Sequence, residues 1–392
     1  MRWKILFAFL LLACIAVAGG AGWYKWQTVQ IRKELAEQLL LCKNQIRMEE
    51  HARAQANLER ILAEHPNVQG ADAIWATLAA SYEKTGDADK AVGCWEKIRT
   101  DFPGSPHVDE ALAALAHRHF DREEFGEAER LWDILLKNFQ DSDAVDDALF
   151  GKARLTYERE GALAARAALL RLHEAHPDSN RRAEVEEMLG KVNLELLYSS
   201  ALLEEEGDQI YAIRRGDTLE SIGRQFGVSP DLLARINHIP DERSLTVGRR
   251  LKVPSVEFSI TIDKSDNTLL LQNRGRFFKR YRVRTGSADW RTPRGDFHII
   301  RKVKDPSWNN PEDHRTYGPG DPGNELGTRW MAFEGNMLGI HGTIQPETIG
   351  TYVSKGCIGM LTEDVEELYD LAPLRTPVKI TGKMQVHDKE KI

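Results

Sequence analysis

The chain has 392 residues, 42% hydrophobic and 29% charged, with a net charge of −7. This composition excludes a disordered, collagen-like or polytopic membrane protein, and the acidic balance argues against a protein built to hold nucleic acid. Four cysteines, Cys14, Cys42, Cys94 and Cys357, with no CxxC or Cys/His cluster, argue against a disulfide scaffold and against a zinc site.

Residues 5–22 are an uncharged apolar run, preceded by Arg2 and Lys4 and followed by Trp23, Tyr24, Lys25 and Trp26. An apolar stretch of about 20 residues with basic residues on one side reads as a signal anchor in the inner membrane. Two other readings fit residues 1–26: a cleaved signal peptide ending at Ala16-Val17-Ala18, and lipid modification at Cys14 after Leu11-Leu12-Ala13. All three place the remainder outside the cytoplasm.

Pro66 and Pro103 are 37 residues apart. Two further steps of the same length reach Gln140 and Pro177. Amphipathic stretches such as Ala91–Ile98 precede these turn-like positions, and Gly86, Gly126 and Gly161 fall inside the units. A fixed period near this length marks helix pairs that bury one face on the next pair. The pattern of Ala79, Tyr82, Gly86, Ala88 and Ala91 resembles tetratricopeptide repeats, over residues 35–200. The resemblance implies an all-α solenoid with a surface for a protein partner. Cys42 and Cys94 read as buried small apolar residues, with a disulfide between them as the alternative.

Glu204 to Asp208 is a charged stretch that reads as a linker. The apolar strand signal at Ile210–Ile213 leads to a turn at Arg215-Gly216-Asp217. Asp217 or Thr218 then caps a helix over Leu219–Phe226. Ser229-Pro230 opens a second helix, Asn237 lies just beyond it, and Leu245–Val253 supplies the closing strand. The βααβ order over residues 210–254 resembles a LysM domain. That resemblance implies binding to glycan strands of peptidoglycan, with Gly216, Asp217, Thr218 and Asn237 as candidate glycan-binding residues.

From Phe258 the pattern turns strand-like: Phe258–Ile262, Thr268–Leu271 and Phe277–Val283, separated by turn residues at Asp266-Asn267 and Asn273-Arg274-Gly275. Helical periodicity returns at Glu363–Leu371, with Thr362 as its cap. The segment Arg274–Lys304 carries eleven Lys and Arg. It reads either as a face toward an anionic polymer or as a solvated face balancing the acidic repeats. Residues 304–320, rich in Pro, Gly and Asn and containing Trp308, have the composition of a loop over a site.

Ile340-His341-Gly342-Thr343 precedes Ser354-Lys355-Gly356-Cys357-Ile358-Gly359, with Cys357 sixteen residues after His341. An imidazole beside a thiol takes its proton and stabilises the thiolate, and backbone N–H groups at a glycine turn hold a tetrahedral oxyanion. These motifs, with Val283-Arg284-Thr285-Gly286, Thr292-Pro293-Arg294-Gly295 and Thr376-Pro377-Val378, resemble the L,D-transpeptidase (YkuD) domain over residues 257–382. The resemblance implies a cysteine acyltransferase with Cys357 as nucleophile and His341 as base. Gly356, Gly342 and Ser354 would be oxyanion or orienting residues, and no metal or other cofactor would be needed. Its substrates would be peptidoglycan stem peptides, in the extracytoplasmic part of a bacterial cell envelope. Two positions depart from the family pattern. Lys355 replaces a frequent His, where a cation would lower the thiol pKa electrostatically, and Gly359 replaces a frequent Arg. Thr362 stands where a later Asn is usual. The fold class expected is a multidomain chain: N-terminal anchor or signal, all-α helical repeat, small βααβ LysM module and mostly-β catalytic domain.

Overall fold

The computed structural model describes residues 29–30, 32–65, 68–241, 244–310, 313–335 and 338–384. The candidate anchor at 5–22, Cys14 and Pro66 lie outside the described residues. Among the described residues, no helix is long and apolar enough to cross a membrane. The chain divides into two compact units at Arg159/Glu160.

The first unit is helical. After a helical stretch at residues 32–47 come α1 (His51–Glu64), α2 (Ala71–Thr85), α3 (Ala88–Asp101), α4 (Val108–Asp121), α5 (Phe125–Asn138) and α6 (Ala144–Glu160). Small residues at 0% exposure, Ala54, Ala79, Ala111, Ala116, Ala128 and Ala148, let the helices approach, and Leu58, Ile61, Ile98, Leu131, Trp132 and Leu135 fill the spaces between them. Cys42 and Cys94 are buried free thiols, which removes the disulfide alternative. The 37-residue period has a physical counterpart. Ser105 Oγ donates to Asp72 at 2.7 Å, and Ser142 Oγ donates to Asp109 at 2.5 Å. Each serine also accepts the N–H two residues on, from His107 and from Ala144.

The second unit begins with helices expected to belong to the repeat array. α7 (Ala162–Ala175) and α8 (Arg182–Tyr198) pack within the same compact unit as the strands that follow. Asn193 Nδ2 of α8 donates to the Phe278 carbonyl at 2.9 Å, and the His173 and Phe277 rings lie 4.8 Å apart. Glu186, 6% exposed, holds Arg280 and Arg182. Its hydrogen bonds to His173 and Arg280 outweigh burial and bring its carboxyl down to about 2. The acidic stretch expected to be a linker is bound in place. Asp208 accepts N–H groups from Leu203 and Ser255 and lies 3.5 Å from the buried ammonium of Lys252, while Glu206 accepts from Arg166. The partners lie up to 47 residues away, which a local reading of charge does not reveal.

β1 (Gln209–Ala212), α9 (Leu219–Phe226), α10 (Pro230–Ile236) and β2 (Arg250–Val253) form the expected βααβ order, with β1 and β2 antiparallel. This module rests on the β-rich part through Arg235, 3.1 Å from Asp370, and through Ser229, which accepts from Lys302 Nζ at 3.2 Å while the same ammonium donates to the Tyr369 carbonyl at 2.6 Å.

The mostly-β part is built from two main sheets. One has the order β5-β4-β3-β15-β7, from β3 (Phe258–Asp263), β4 (Thr268–Asn273), β5 (Arg276–Arg282), β7 (Gly295–His298) and β15 (Pro377–Thr381). The other has the order β14-β12-β11-β8, from β8 (Arg301–Lys304), β11 (Arg329–Ala332), β12 (Gly339–Gly342) and β14 (Ile358–Met360). Small ladders pair β6 (Thr285–Gly286) with β13 (Tyr352–Ser354), and β9 (Trp308–Asn309) with β10 (Thr316–Tyr317). α11 (Thr362–Leu371) buries Val365, Leu368 and Leu371 against the second sheet. Thr362 is its first helical residue, and Leu361 occupies the cap position without a side-chain bond. The basic run largely faces acidic partners: Arg276 meets Glu174, Lys279 meets Glu367, and Lys302 and Lys304 meet Asp231.

Candidate active site

The site follows from strand register. β12 and β14 run parallel, pairing Ile340 with Ile358, His341 with Gly359 and Gly342 with Met360. Side chains alternate between faces along a strand. Ile340, Ile358 and Met360, all at 0% exposure, therefore enter the core, while His341 and Gly359 share the opposite face. Cys357 comes two residues before Gly359 and returns to that face. One strand spacing and a two-residue offset put the Cys357 and His341 backbones about 8 Å apart. Trp330 of β11 pairs with His341, and its ring centre is 5.9 Å from the imidazole.

The turn carrying Cys357 is braced at several points. Ser354 Oγ donates to the Cys357 carbonyl at 2.6 Å. Gly356 has φ of +99°, a left-handed conformation that side chains resist. Its carbonyl accepts from Thr292 Oγ1 at 2.8 Å, and the same hydroxyl accepts from the Gly286 N–H at 2.8 Å. Fixing the Gly356 carbonyl fixes the plane of the next peptide, and so the direction of the Cys357 N–H.

His341 Nδ1 lies 2.5 Å from the Gly342 carbonyl. A carbonyl only accepts, so Nδ1 carries the proton and the neutral ring keeps its Nε2 lone pair. Burial pushes the imidazole down to about 4, the Arg284 charge adds to this, and hydrogen bonds to backbone at Gly342 and Glu325 oppose it. Burial pushes the Cys357 thiol up to about 11, against a hydrogen bond from the Gly339 backbone and the attraction of Arg284. Burial thus disfavours the charged form of each group, the thiolate and the imidazolium alike.

Arg284 is a cation that favours the Cys357 thiolate. Lys355 Nζ sits 5.3 Å above the Trp308 ring and 3.8 Å from Glu325. Trp308 belongs to the β9–β10 hairpin, where its ring lies 5.6 Å from that of Tyr317. Residues 304–320 thus contain a short hairpin beside the cysteine turn. Asn324, 1% exposed, ties this region together by donating to the Pro306 and Gly318 carbonyls. Sequence reasoning missed Thr292, Asn324 and Arg284. Thr292 and Arg284 both stand in motifs quoted above.

The four candidate glycan-binding positions have local roles. Gly216 has φ of +91°. Asp217 accepts from the Arg214 N–H and the Tyr211 hydroxyl, and Thr218 forms a capping box with Ser221. Asn237 accepts from the Lys252 N–H and donates to the Leu233 and Lys252 carbonyls.

Residues 257–380 match the profile of the L,D-transpeptidase catalytic domain (YkuD), residues 211–254 that of the LysM domain, and residues 77–105 a tetratricopeptide repeat. The putative L,D-transpeptidase YkuD of Bacillus subtilis is 32% identical over 177 residues, covering 43% of this chain and 97% of that protein. The chain belongs to the L,D-transpeptidase family. A second putative L,D-transpeptidase of Bacillus subtilis, YqjB, is 34% identical over 127 residues, 31% of this chain and 70% of that protein. The solved L,D-transpeptidase from Mycobacterium smegmatis is 17% identical with a TM-score of 0.28, covering 35% of this chain and 64% of that chain.

Proposed function

We propose that the protein is a peptidoglycan L,D-transpeptidase that works through a Cys357 thioester. The observation that carries this reading is the parallel pairing of β12 with β14, which puts His341 and Cys357 on one face beside a braced glycine turn. In the first half-reaction the Cys357 thiol gives its proton to His341 Nε2. Sγ bonds to the carbonyl of the third residue of a stem tetrapeptide, and the oxyanion meets the N–H groups of Gly356 and Cys357. The bond to terminal D-alanine breaks, and the leaving amine takes the proton from His341. In the second half-reaction an amine of a neighbouring stem attacks the thioester, its proton passes to His341, and the thiol is restored. The product is a 3→3 cross-link; a protein amine as acceptor would attach that protein instead.

The LysM module supports action on the wall. With its motif side chains committed to local bonds, sugar recognition falls to backbone groups around residues 214–218 and after Asn237. The repeats supply a surface for a protein partner. This function places the catalytic part on the extracytoplasmic side of a bacterial envelope.

Incubating the protein with purified tetrapeptide-bearing disaccharides and weighing the products by mass spectrometry tests the reading. A dimer lacking one D-alanine is the expected product, and Cys357→Ala should abolish it. A tripeptide monomer alone would make the enzyme an L,D-carboxypeptidase with water as acceptor. D-alanine release by Cys357→Ala at the wild-type rate would overturn the mechanism and leave a non-catalytic wall-binding scaffold as the better account.

A further inference from the structure

The face that carries His341 also carries Arg284. Arg284 and Gly359 exchange both backbone hydrogen bonds, N to O at 2.8 Å and O to N at 3.0 Å, as an isolated antiparallel bridge. A directly opposed, doubly bonded pair presents its side chains to the same face. The row across the strands therefore runs Arg284, Gly359, His341, Trp330. Gly359 contributes no side chain, and the space is taken. A Cβ at 359 would stand 2.5 Å from Arg284 Nε and 2.7 Å from its Cγ. The arginine thus lies across the glycine toward the imidazole.

Arg284 is 3% exposed. One terminal nitrogen donates to Gln345 Oε1 at 3.2 Å and to Thr348 Oγ1 at 3.1 Å. Both of those partners are neutral. Its Nε is buried without a hydrogen-bond partner. A buried guanidinium held only by neutral acceptors is costly, since the charge has left water without a paired carboxylate to replace the lost hydration. Burial lowers its affinity for its proton, while the more distant charges of Glu325, Cys357 and Glu347 favour the cation. The arrangement is explained by a negative charge that forms beside Arg284 during the reaction.

We infer that Arg284, laid over Gly359 from the neighbouring strand, is a positioning residue that supplies the fixed positive charge for the Cys357 thiolate. The inference rests on Cys357 being the nucleophile. The same charge disfavours imidazolium at His341, so its net effect is a thiolate formed with a ring that returns its proton readily to the leaving amine. It also gives Gly359 a function. The glycine at that position is the room in which the arginine lies, and charge delivered from β14 in other sequences is delivered here from position 284.

Alkylation of Cys357 by iodoacetamide, followed by mass spectrometry between pH 7 and 11, reads this directly and needs no peptidoglycan. In Arg284→Met the apparent thiol pKa should rise by about 1. The tenfold loss of thiolate, partly offset by its greater basicity, should slow alkylation about three- to fivefold at pH 8. Arg284→Lys should keep most of the wild-type profile. The double variant Arg284→Ser with Gly359→Arg, which moves the charge back across the bridge, should recover it. Circular dichroism melts show which variants are folded, and the comparison is made among those. An unchanged pH profile in folded Arg284→Met, or a double variant no more reactive than Arg284→Ser, overturns the inference. A wild-type Cys357 that resists alkylation across the whole range overturns the thioester mechanism instead, and the two failures are thereby distinguished.

Discussion

In the helical repeats the bond from Ser105 to Asp72 is made again, 37 residues on, from Ser142 to Asp109. In the β-rich part the bridge between Arg284 and Gly359 joins residues 75 apart and has no counterpart a fixed period away among the described bridges. The first region draws stability from nearest-neighbour packing of like units, so each loss is local. The second draws its site from single pairings between distant segments, and one change there reaches the chemistry.

The sharpest way to break this contrast is through His341. Its folded-state imidazole sits near 4, below the ordinary value of about 6.5. Between those values the unfolded chain binds a proton that the folded chain does not, so stability falls as pH drops from about 6.5 toward 4. The loss attributable to this one group is about 3 kcal/mol. Urea unfolding of wild type and His341→Gln at pH 7 and at pH 4.5 should show the acid loss shrinking in the variant. At pH 7 the variant should lose cross-linking by about 10²–10⁴-fold. An equal acid loss in both proteins would remove His341 as its source.

A smaller effect is expected in the repeats. A Cβ at Gly151 would lie 2.2 Å from Trp132 Cζ2, with Trp132 fully buried. Gly151→Ala should destabilise the first unit by about 1–3 kcal/mol through overpacking. It should leave the rate of Cys357 alkylation at its wild-type value, because the two residues belong to the first unit and Cys357 to the second. Slower alkylation in the folded variant would show that the units are coupled.

The smallest effect sharpens the comparison most finely. Ser105→Ala and Ser142→Ala each remove a bond to a carboxylate and an accepted backbone N–H. Each should cost about 1 kcal/mol, the usual scale for such bonds. If the repeats are equivalent, the two values from urea melts should agree within about 0.5 kcal/mol. A difference of several-fold would mean that the sequence period overstates the physical one.

The sequence by itself determined much of this protein. The period of 37 set the helical repeats, and turn chemistry set the βααβ order, down to the capping box at Thr218 and the proline opening α10. The motifs singled out His341 and Cys357. All of these signals are local, because caps, turns and periodicities act over a few residues. Where the partner was far along the chain the same signals misled. The acidic stretch at 204–208 read as a linker, although Ser255 and Lys252 hold Asp208. Helices α7 and α8 read as repeats, and folding also ties α8 to β5 through Asn193 and Glu186. Folding alone brings Thr292 to the Gly356 carbonyl, sets Arg284 opposite Gly359 and buries His341. Strand register and desolvation depend on which segments meet, and that is a property of the folded chain.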